Sequence, residues 1–436
     1  MTKQLKLWYN NIDWKGSKSM LLEFSCSNHK SIKNKIMFSM IAGKDDTDED
    51  TLFEYGNNKV LNSAIIYGAN GSGKSNFVDA ISFMKTMVID SLNYQPGKPL
   101  RQETHKLLSL NDDSVYFMQF ITKGIRYAFG FTLNKCLIKE EFLYVFPNGR
   151  QQKIYERQEE NIFPGDKYKN KFELCKSALK PNKLLLSCAA NFSQIVDIMN
   201  VFNFFRDELV VYSNEHMSNS WMGYSLKTIQ ANSKVKQNVL KLLKYFGTGI
   251  KDLNINIKGT QLKENDLPTF LSDQDKLEII KQNTTLINAQ VMYDQFSVDL
   301  LKEESKGIKK LIEFVCPFIE IILKGKVLIC DEIETSLHES IVYKMFEFFK
   351  TTKMISDEFP QIISTTHDTS LLKLDLFRRD QIWFTELKKT DRSTDLYSLA
   401  EIKNVRKDEN ILKGYISGKY GAIPMLNESM ESLAKE

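Results

Sequence analysis

Little in this chain of 436 residues points toward secretion, a membrane or a metal cage. Its six cysteines (Cys26, Cys136, Cys175, Cys188, Cys316 and Cys330) stand apart and form no CxxC pair. In a chain this long, such thiols are expected to be free in a reducing cytoplasm, and a cysteine-held metal is not expected. With only five histidines, any role given to one of them can be weighed singly. The longest apolar stretch, Phe314 to Leu323, is broken by Pro317 and Glu320, and a bilayer demands roughly 20 apolar residues. Met1 to Met20 lacks the apolar run of a signal peptide. Neither sign of charge dominates: 59 basic residues face 55 acidic ones, for a net charge of +4. The pI of 8.4 lies below the value of about 9 that flags a nucleic-acid domain by itself. Nucleic acid is therefore neither demanded nor excluded. No internal repeat, low-complexity tract or sustained heptad is present, so a long coiled coil is not expected.

What remains is an ordinary globular composition, 42% hydrophobic and 26% charged, long enough for two to four domains. Leu22 to Cys26 alternates as an edge strand does, with Ile36 to Ile41 as its partner. Ser63 to Tyr67 is a short apolar strand running into a Gly-rich turn, and Asn76 to Ile89 reads as a helix. Val115–Thr122, Ile125–Leu133 and Leu137–Phe146, joined by short turns, predict a β-meander. From Ser193 the period becomes helical, with further helices expected over Ser233 to Phe246 and Asp273 to Leu286. Ser305 is placed to cap a helix that Pro317 should kink. Lys326 to Cys330 is a continuous apolar run ending in acids, as in a buried parallel strand. Ile341 to Phe349 reads as helix, and Gln361 to Thr365 and Gln381 to Thr385 as strands. The alternation argues for an α/β core.

Three elements carry chemistry. Gly68-Ala69-Asn70-Gly71-Ser72-Gly73-Lys74-Ser75 matches GxxxxGK[ST] completely. In such a loop glycines let backbone N–H groups approach phosphate oxygens, and the following helix, opening at Asn76, adds the positive end of its dipole. Lys74 would neutralise the β- and γ-phosphates, and Ser75 would ligate Mg²⁺. The second element, Val327 to Glu332, delivers Asp331 to the carboxyl end of a buried strand, where α/β sheets bind ligands. Asp331 would hold the Mg²⁺ shell and Glu332 would orient and deprotonate the attacking water. The third is His367, at the end of the next core strand, placed to reach the γ-phosphate.

In this order the elements resemble the ABC-type ATPase superfamily, which includes the chromosome-maintenance and RecF-like ATPases. The resemblance implies ATP with Mg²⁺ held between two head-to-tail protomers. It also implies a signature Ser-x-Gly that touches the γ-phosphate in trans; the matching segment is Ser305-Lys306-Gly307. Phe24, Asn28 and Lys30-Ser31-Ile32 are similar to the opening of the AbiL/RloA-like phage-defence group, akin to the ATPase of the PARIS system. So are Asp331-Glu332 with Ser336-Leu337-His338, Arg379 to Glu386, Leu396 to Leu399, Gly414-Tyr415 and Gly418 to Pro424. Ile308 stands where that group has Thr, and Glu339 where it has Pro. A Gln that senses Mg²⁺ is expected between Gly73 and Ser305, as Gln119 or Gln194.

The expected architecture is therefore α/β: an ABC-type P-loop ATPase head with an antiparallel β-subdomain and an inserted helical subdomain. We divide it into an extension over 1–19, an ATPase lobe over 20–192, a helical insert over 193–300, a second ATPase lobe over 301–390 and a family tail over 391–436. The expected function is a cytoplasmic ATP-hydrolysing switch in abortive-infection defence. It would act as a homodimer or higher oligomer, with an effector (a nuclease or toxin) from an adjacent gene, and would sense a phage trigger. A DNA-repair or chromosome-maintenance ATPase is the alternative. A fused nuclease is not favoured: Asp46/Asp48 and Asp273/Asp275 read as solvated charge, and the chain after His367 is taken up by the family tail.

Overall fold

The computed structural model describes residues 19–44, 47–260, 284–351, 358–406 and 409–424. The described chain divides into two compact units: residues 19–214, 321–335 and 342–424 in the first, 215–320 and 336–341 in the second.

The first unit is built on two sheets. One has six strands in the order β11-β15-β16-β5-β17-β18: Leu209–Tyr212, Val327–Cys330, Gln361–Thr365, Ser63–Gly68, Ile382–Leu387 and Thr394–Ser398. The first five run parallel and β18 returns antiparallel to β17. Every residue of β5, β15 and β16 is buried, so these strands read as continuous rather than alternating apolar runs. The parallel register brings the ends of β5, β15 and β16 to one edge. Cys330 pairs with Ser364, Thr365 with Ile66, and Gly68 with Thr385.

The other sheet has seven antiparallel strands in the order β10-β9-β8-β7-β6-β1-β2: Asn161–Pro164, Gln152–Gln158, Ile138–Phe146, Ile125–Leu133, Ser114–Thr122, Met20–Ser27 and Ile36–Ser39. The β6–β7 turn is Lys123-Gly124, both with positive φ (51° and 73°). That conformation matches the twist of the strands it joins. A two-stranded ribbon, β3 (Phe53–Tyr55) with β4 (Asn58–Val60), completes the strands of this unit.

Helix α1 (Lys74–Asp90) packs on the antiparallel sheet, with Phe77 against Phe24 at 5.7 Å and Phe38 at 5.2 Å between ring centroids. Phe38 in turn touches Trp383 of β17 at 4.8 Å. The two sheets and α1 therefore share one core. Helices α2 (Glu173–Ala178), α3 (Leu185–Phe192) and α4 (Val196–Asn203) cover the meander. A fully buried carboxylate fixes α3. Glu141 accepts the N–H groups of Leu185 and Leu186 (2.6 and 2.8 Å), the Tyr155 hydroxyl (2.7 Å) and Arg157 Nη1 (3.1 Å).

The second unit holds α5 (Asn214–Ala231) beyond its first residue, α6 (Ser233–Tyr245) and most of α7 (Lys306–Lys324). It also holds a three-stranded antiparallel sheet of β12 (Asp252–Thr260), β13 (Thr284–Met292) and β14 (Ser297–Asp299). The expected helical stretch from Ser193 thus differs in two ways. Its first part, α4 and β11, belongs to the first unit, and its later part contains strands. Of the helix expected over Asp273 to Leu286, residues 273–283 lie outside the described residues, and the last three open β13. Alternation of Ile, Asn and Gln across β12 and β13 has period 2, and the local β pairing prevails over the helical reading. Pro317 lies inside α7 without ending it. The remaining elements are α8 (Glu339–Thr351) and α9 (Ile411–Ile416).

Among the described residues no single helix is long and apolar enough to cross a membrane. Five of the six cysteines are buried and Cys136 is exposed, and all six are free. The extension over 1–19 lies outside the described residues except for Ser19, which donates to buried Glu208.

Candidate nucleotide site

The phosphate loop runs from the end of β5 into α1, and its glycines are required by space as well as conformation. A Cβ on Gly68 would collide with Thr385 and with Ser72 Oγ, and one on Gly73 (φ 106°) with Thr394 Oγ1. The crowding comes from a chain of hydroxyls beneath the loop. Ser72 Oγ lies 2.7 Å from Thr385 Oγ1, and Thr394 Oγ1 donates to the Ser72 carbonyl at 2.9 Å. Ser31 Oγ lies 2.7 Å from Thr394 Oγ1 and accepts from Asn76 Nδ2 at 2.6 Å. Two hairpin strands, β17 and β18, and the turn after β1 therefore hold the loop in shape. The first helical bond of α1 runs from Phe77 N–H to the Gly73 carbonyl. The N–H groups of Lys74, Ser75 and Asn76 precede that ladder and, with the helix dipole, make an anion site.

Lys74 is 5% exposed and donates to the carbonyls of Gly68 (2.8 Å) and Ala69 (3.1 Å). Burial lowers its pKa to about 8, against the opposing pull of Glu332, Asp331 and Glu334. An ammonium held this way is short of negative charge, the condition a polyphosphate would relieve.

Asp331 and Glu332 leave β15, and His367 follows β16 by two residues. Thr365 Oγ1 donates to Asp331 Oδ1 at 2.6 Å and accepts the Glu332 N–H at 2.8 Å. Glu332 takes a left-handed backbone conformation, φ 48°, which this bond steadies. Its carboxylate lies 3.4 Å from His367 Nε2. Both side chains are partly exposed, Glu332 at 40% and His367 at 38%, as groups that meet a ligand must be. Ser75 is exposed. A hydroxyl and a carboxylate are the hard oxygen donors that Mg²⁺ prefers, so Ser75 and Asp331 fit that ion.

Ser305-Lys306-Gly307 lies in the second unit. Ser305 Oγ accepts the Ile308 N–H at 3.2 Å, so Ser305 caps α7. Ser305 and Lys306 are exposed. A Cβ on Gly307 would stand 3.0 Å from the Ser336 carbonyl, so the segment lies against the turn that leads to His338. Glu339 is the first residue of α8, where an acid favours the helix dipole.

The two glutamine candidates separate. Gln119 pairs with Glu23 and donates to its carboxylate at 3.2 Å. The neighbouring pair Phe24–Met118 faces α1 through Phe77. Successive side chains of a strand alternate faces, so Gln119 points away from α1. Gln194 is exposed in the turn between α3 and α4.

Sequence reasoning missed Thr365, Thr385, Thr394 and Glu334 as parts of this site. Glu334 Oε1 accepts the His367 N–H at 2.6 Å, and burial raises its pKa. Tyr67, just before the loop, is fully buried, and burial, followed by Asp368, Glu334 and Tyr415, pushes its phenol well above the usual value. Its ring lies 6.4 Å from Phe384 and 5.9 Å from Tyr415, so the tail packs against the loop's own strand.

A family described as "AAA domain, putative AbiEii toxin, Type IV TA system" matches residues 63–168, the phosphate loop and the meander. No curated protein matches the chain. Among solved structures, an SMC head bound to the C-winged helix domain of ScpA is 14% identical, with a TM-score of 0.45 over 87% of this chain and 97% of that one. The SMC head domain of Thermotoga maritima is 13% identical, with a TM-score of 0.41 over 87% and 98%. The Pyrococcus furiosus Smc head with an extended coiled coil, bound to the C-terminal domain of ScpA, is 12% identical, with a TM-score of 0.42 over 87% and 96%. The fold assignment rests on the strand order and the loop positions. A phosphate loop after β5, an Asp-Glu pair after β15 and a His after the strand between them, beside an antiparallel sheet packed on α1, make an α/β P-loop fold.

Proposed function

We propose that the chain binds and hydrolyses ATP as an ABC-type switch in anti-phage defence and controls a partner effector. The observation that carries the reading is the convergence of Lys74, Asp331, Glu332 and His367 at the ends of three neighbouring parallel strands. Lys74 and the N–H groups of the loop from Gly68 to Asn76 would bind the phosphates. Ser75 and Asp331 would hold Mg²⁺, which supplies charge neutralisation of the phosphates when bound. Glu332 would orient and deprotonate water, and His367 would steady the γ-phosphate. Gln119 or Gln194 would sense Mg²⁺. Ser305 and Gly307 would reach the nucleotide of a second copy, which makes a homodimer the minimal active form.

The matched family's description as an AbiEii toxin of a type IV TA system supports the defence context. A nuclease or toxin encoded nearby is the expected effector and a phage protein the expected trigger. The alternative, an ATPase acting on DNA ends, calls for a free basic face. Lys30 pairs with Asp79 (2.8 Å), Lys33 with Asp391 (3.1 Å), Arg378 with Asp380 (2.8 Å) and Lys388 with Asp395 (3.5 Å). Salt-dependent DNA binding at micromolar affinity or tighter would favour that alternative. The test of the main reading is ATP turnover by the wild type and Glu332→Gln. Loss of general-base catalysis should cut kcat by about 10²- to 10⁴-fold and let the variant accumulate as an ATP-bound dimer in sedimentation. Equal rates would remove Glu332 from the reaction.

A further inference from the structure

We infer that Glu334 is a positioning residue for His367, holding the strand end that carries the imidazole in register with Glu332. The inference deepens the ATPase reading and rests on it for its catalytic consequence. It begins from a weakness in the site. The His367 ring is 38% exposed and touches Glu332 at only 3.4 Å, so its direction is set by its backbone. That backbone sits just past β16, where the ladder to β5 has ended; the last bond there runs from Thr366 N–H to the Ile66 carbonyl.

Two side chains stitch the end of β16 to the turn after β15. Thr365 Oγ1 joins Asp331 and the Glu332 amide. Two residues further along each segment, Glu334 Oε1 takes the His367 N–H at 2.6 Å. Beyond it Thr366 Oγ1 accepts the Asp368 N–H at 2.9 Å, and Asp368 Oδ1 accepts the Ser370 N–H at 2.9 Å. The amides of Glu332, His367, Asp368 and Ser370 are thus each met by a side chain. Water would satisfy the His367 amide with no desolvation of a carboxylate, yet this one is partly withdrawn from solvent. Charge-assisted bonds of this kind are short and about twice as strong as neutral ones. The arrangement makes sense if what matters is where His367 stands. It also explains a spacing in Asp331-Glu332-Ile333-Glu334: the second glutamate reaches across to the neighbouring strand end, while Ile333 between them is buried.

The experiment has two readouts on the full chain. In the nucleotide-free protein, hydrogen exchange at the His367 amide should speed up about tenfold or more in Glu334→Ala and stay within about threefold of wild type in Glu334→Gln, whose amide oxygen still accepts. In steady-state turnover of Mg·ATP, Glu334→Ala should lower kcat by about tenfold with KM within about twofold, Glu334→Gln should restore most of it, and Glu334→Ala should add less than about twofold in a His367→Ala background. Unchanged exchange in Glu334→Ala overturns the inference whatever the turnover shows. So does a full additional loss in the His367→Ala background, or a Gln variant as impaired as Ala. If Glu334→Ala fails to fold, Glu334→Asp carries the test: its shorter side chain withdraws the acceptor, and wild-type exchange and kcat there refute the role. A wild type without turnover would count against the ATPase reading, while the exchange result would still decide the inference.

Discussion

Lys74 makes a quantitative prediction. Burial brings its pKa down to about 8 from the ordinary 10.5. Only the ammonium form can pair with phosphate, and the opposite charge of bound Mg·ATP should restore at least the ordinary value. Binding must then take up a proton wherever the free chain has lost one. At pH 8 the free chain is about half deprotonated at Lys74 and the complex is fully protonated, so uptake should be about half a proton per site. The sign follows: affinity is flat below about pH 7, where both forms are charged, and falls as pH rises through 8. Between pH 7 and 9 the loss should be about tenfold. The terminal phosphate does not confuse the result, since a phosphate monoester loses its second proton near pH about 6. Titration calorimetry of Glu332→Gln with Mg·ATP at pH 8, in two buffers of different ionisation enthalpy, reads the uptake directly. Glu332→Gln/Lys74→Met should show none and a flat pH dependence. An uptake below about 0.1 proton, or the same pH slope in the Lys74→Met variant, would refute the argument that burial sets the lysine's charge.

Two further substitutions test features that only the structure revealed. Thr394→Val keeps the shape but removes the hydroxyl that joins Ser72 and Ser31. At about 1 kcal/mol per buried bond, KM for Mg·ATP should rise about 5- to 30-fold with kcat within about twofold, and Thr394→Ser should recover it. Glu141→Ala leaves Arg157, whose side chain is 0% exposed, without its counter-ion. It should cost about 3–5 kcal/mol in urea unfolding, whereas breaking the exposed Lys176–Glu173 pair should cost about 0–1 kcal/mol. A Glu141→Ala variant within about 1 kcal/mol of wild type would mean the pair is not a structural anchor.

The legible part of the fold was the part whose pattern comes from one physical cause at a time. β7 and β16 fall on the residues expected, Ile125–Leu133 and Gln361–Thr365. β7 alternates large apolar residues (Tyr127, Phe129, Phe131, Leu133) with small or polar ones (Ala128, Gly130, Thr132), whereas the parallel strand β16 is buried throughout. β11 was hidden because Leu209 to Tyr212 follows without a break from α4 and the π-turn Phe204–Glu208. A run of apolar residues there serves helix and strand alike. β12 and β13 were hidden for the opposite reason. Their polar Asn and Lys positions weaken the apolar signal on which period detection depends, and only the nine-residue pairing Asp252–Met292 through Thr260–Thr284 declares them. α3 is a different case again: its start is fixed by Glu141, a residue more than forty positions earlier, and no local cap announces it.

The same division runs through the site. The residues that would touch phosphate, metal or water stand in short contiguous motifs because one turn of chain presents them all; hence Lys74 and Asp331 could be proposed from motif and position, and His367 once the family resemblance was added. The residues that hold those motifs in place come from wherever the sheet brings them. Thr385 and Thr394 lie more than three hundred positions from Ser72, and nothing in a threonine near a hairpin distinguishes a loop buttress from an ordinary strand residue. Glu334 is the instructive exception. It stands inside a motif, two residues past Glu332, and would pass for solvated charge beside the acids already assigned. Its partner is a backbone N–H, which has no sequence signature. Only the parallel register of β15 and β16 puts that amide within reach. A carboxylate spaced by two from a candidate general base, across from a strand ending in His, is therefore the pattern to search for where this arrangement recurs. The pairing of adjacent strand ends gives the second acid its meaning.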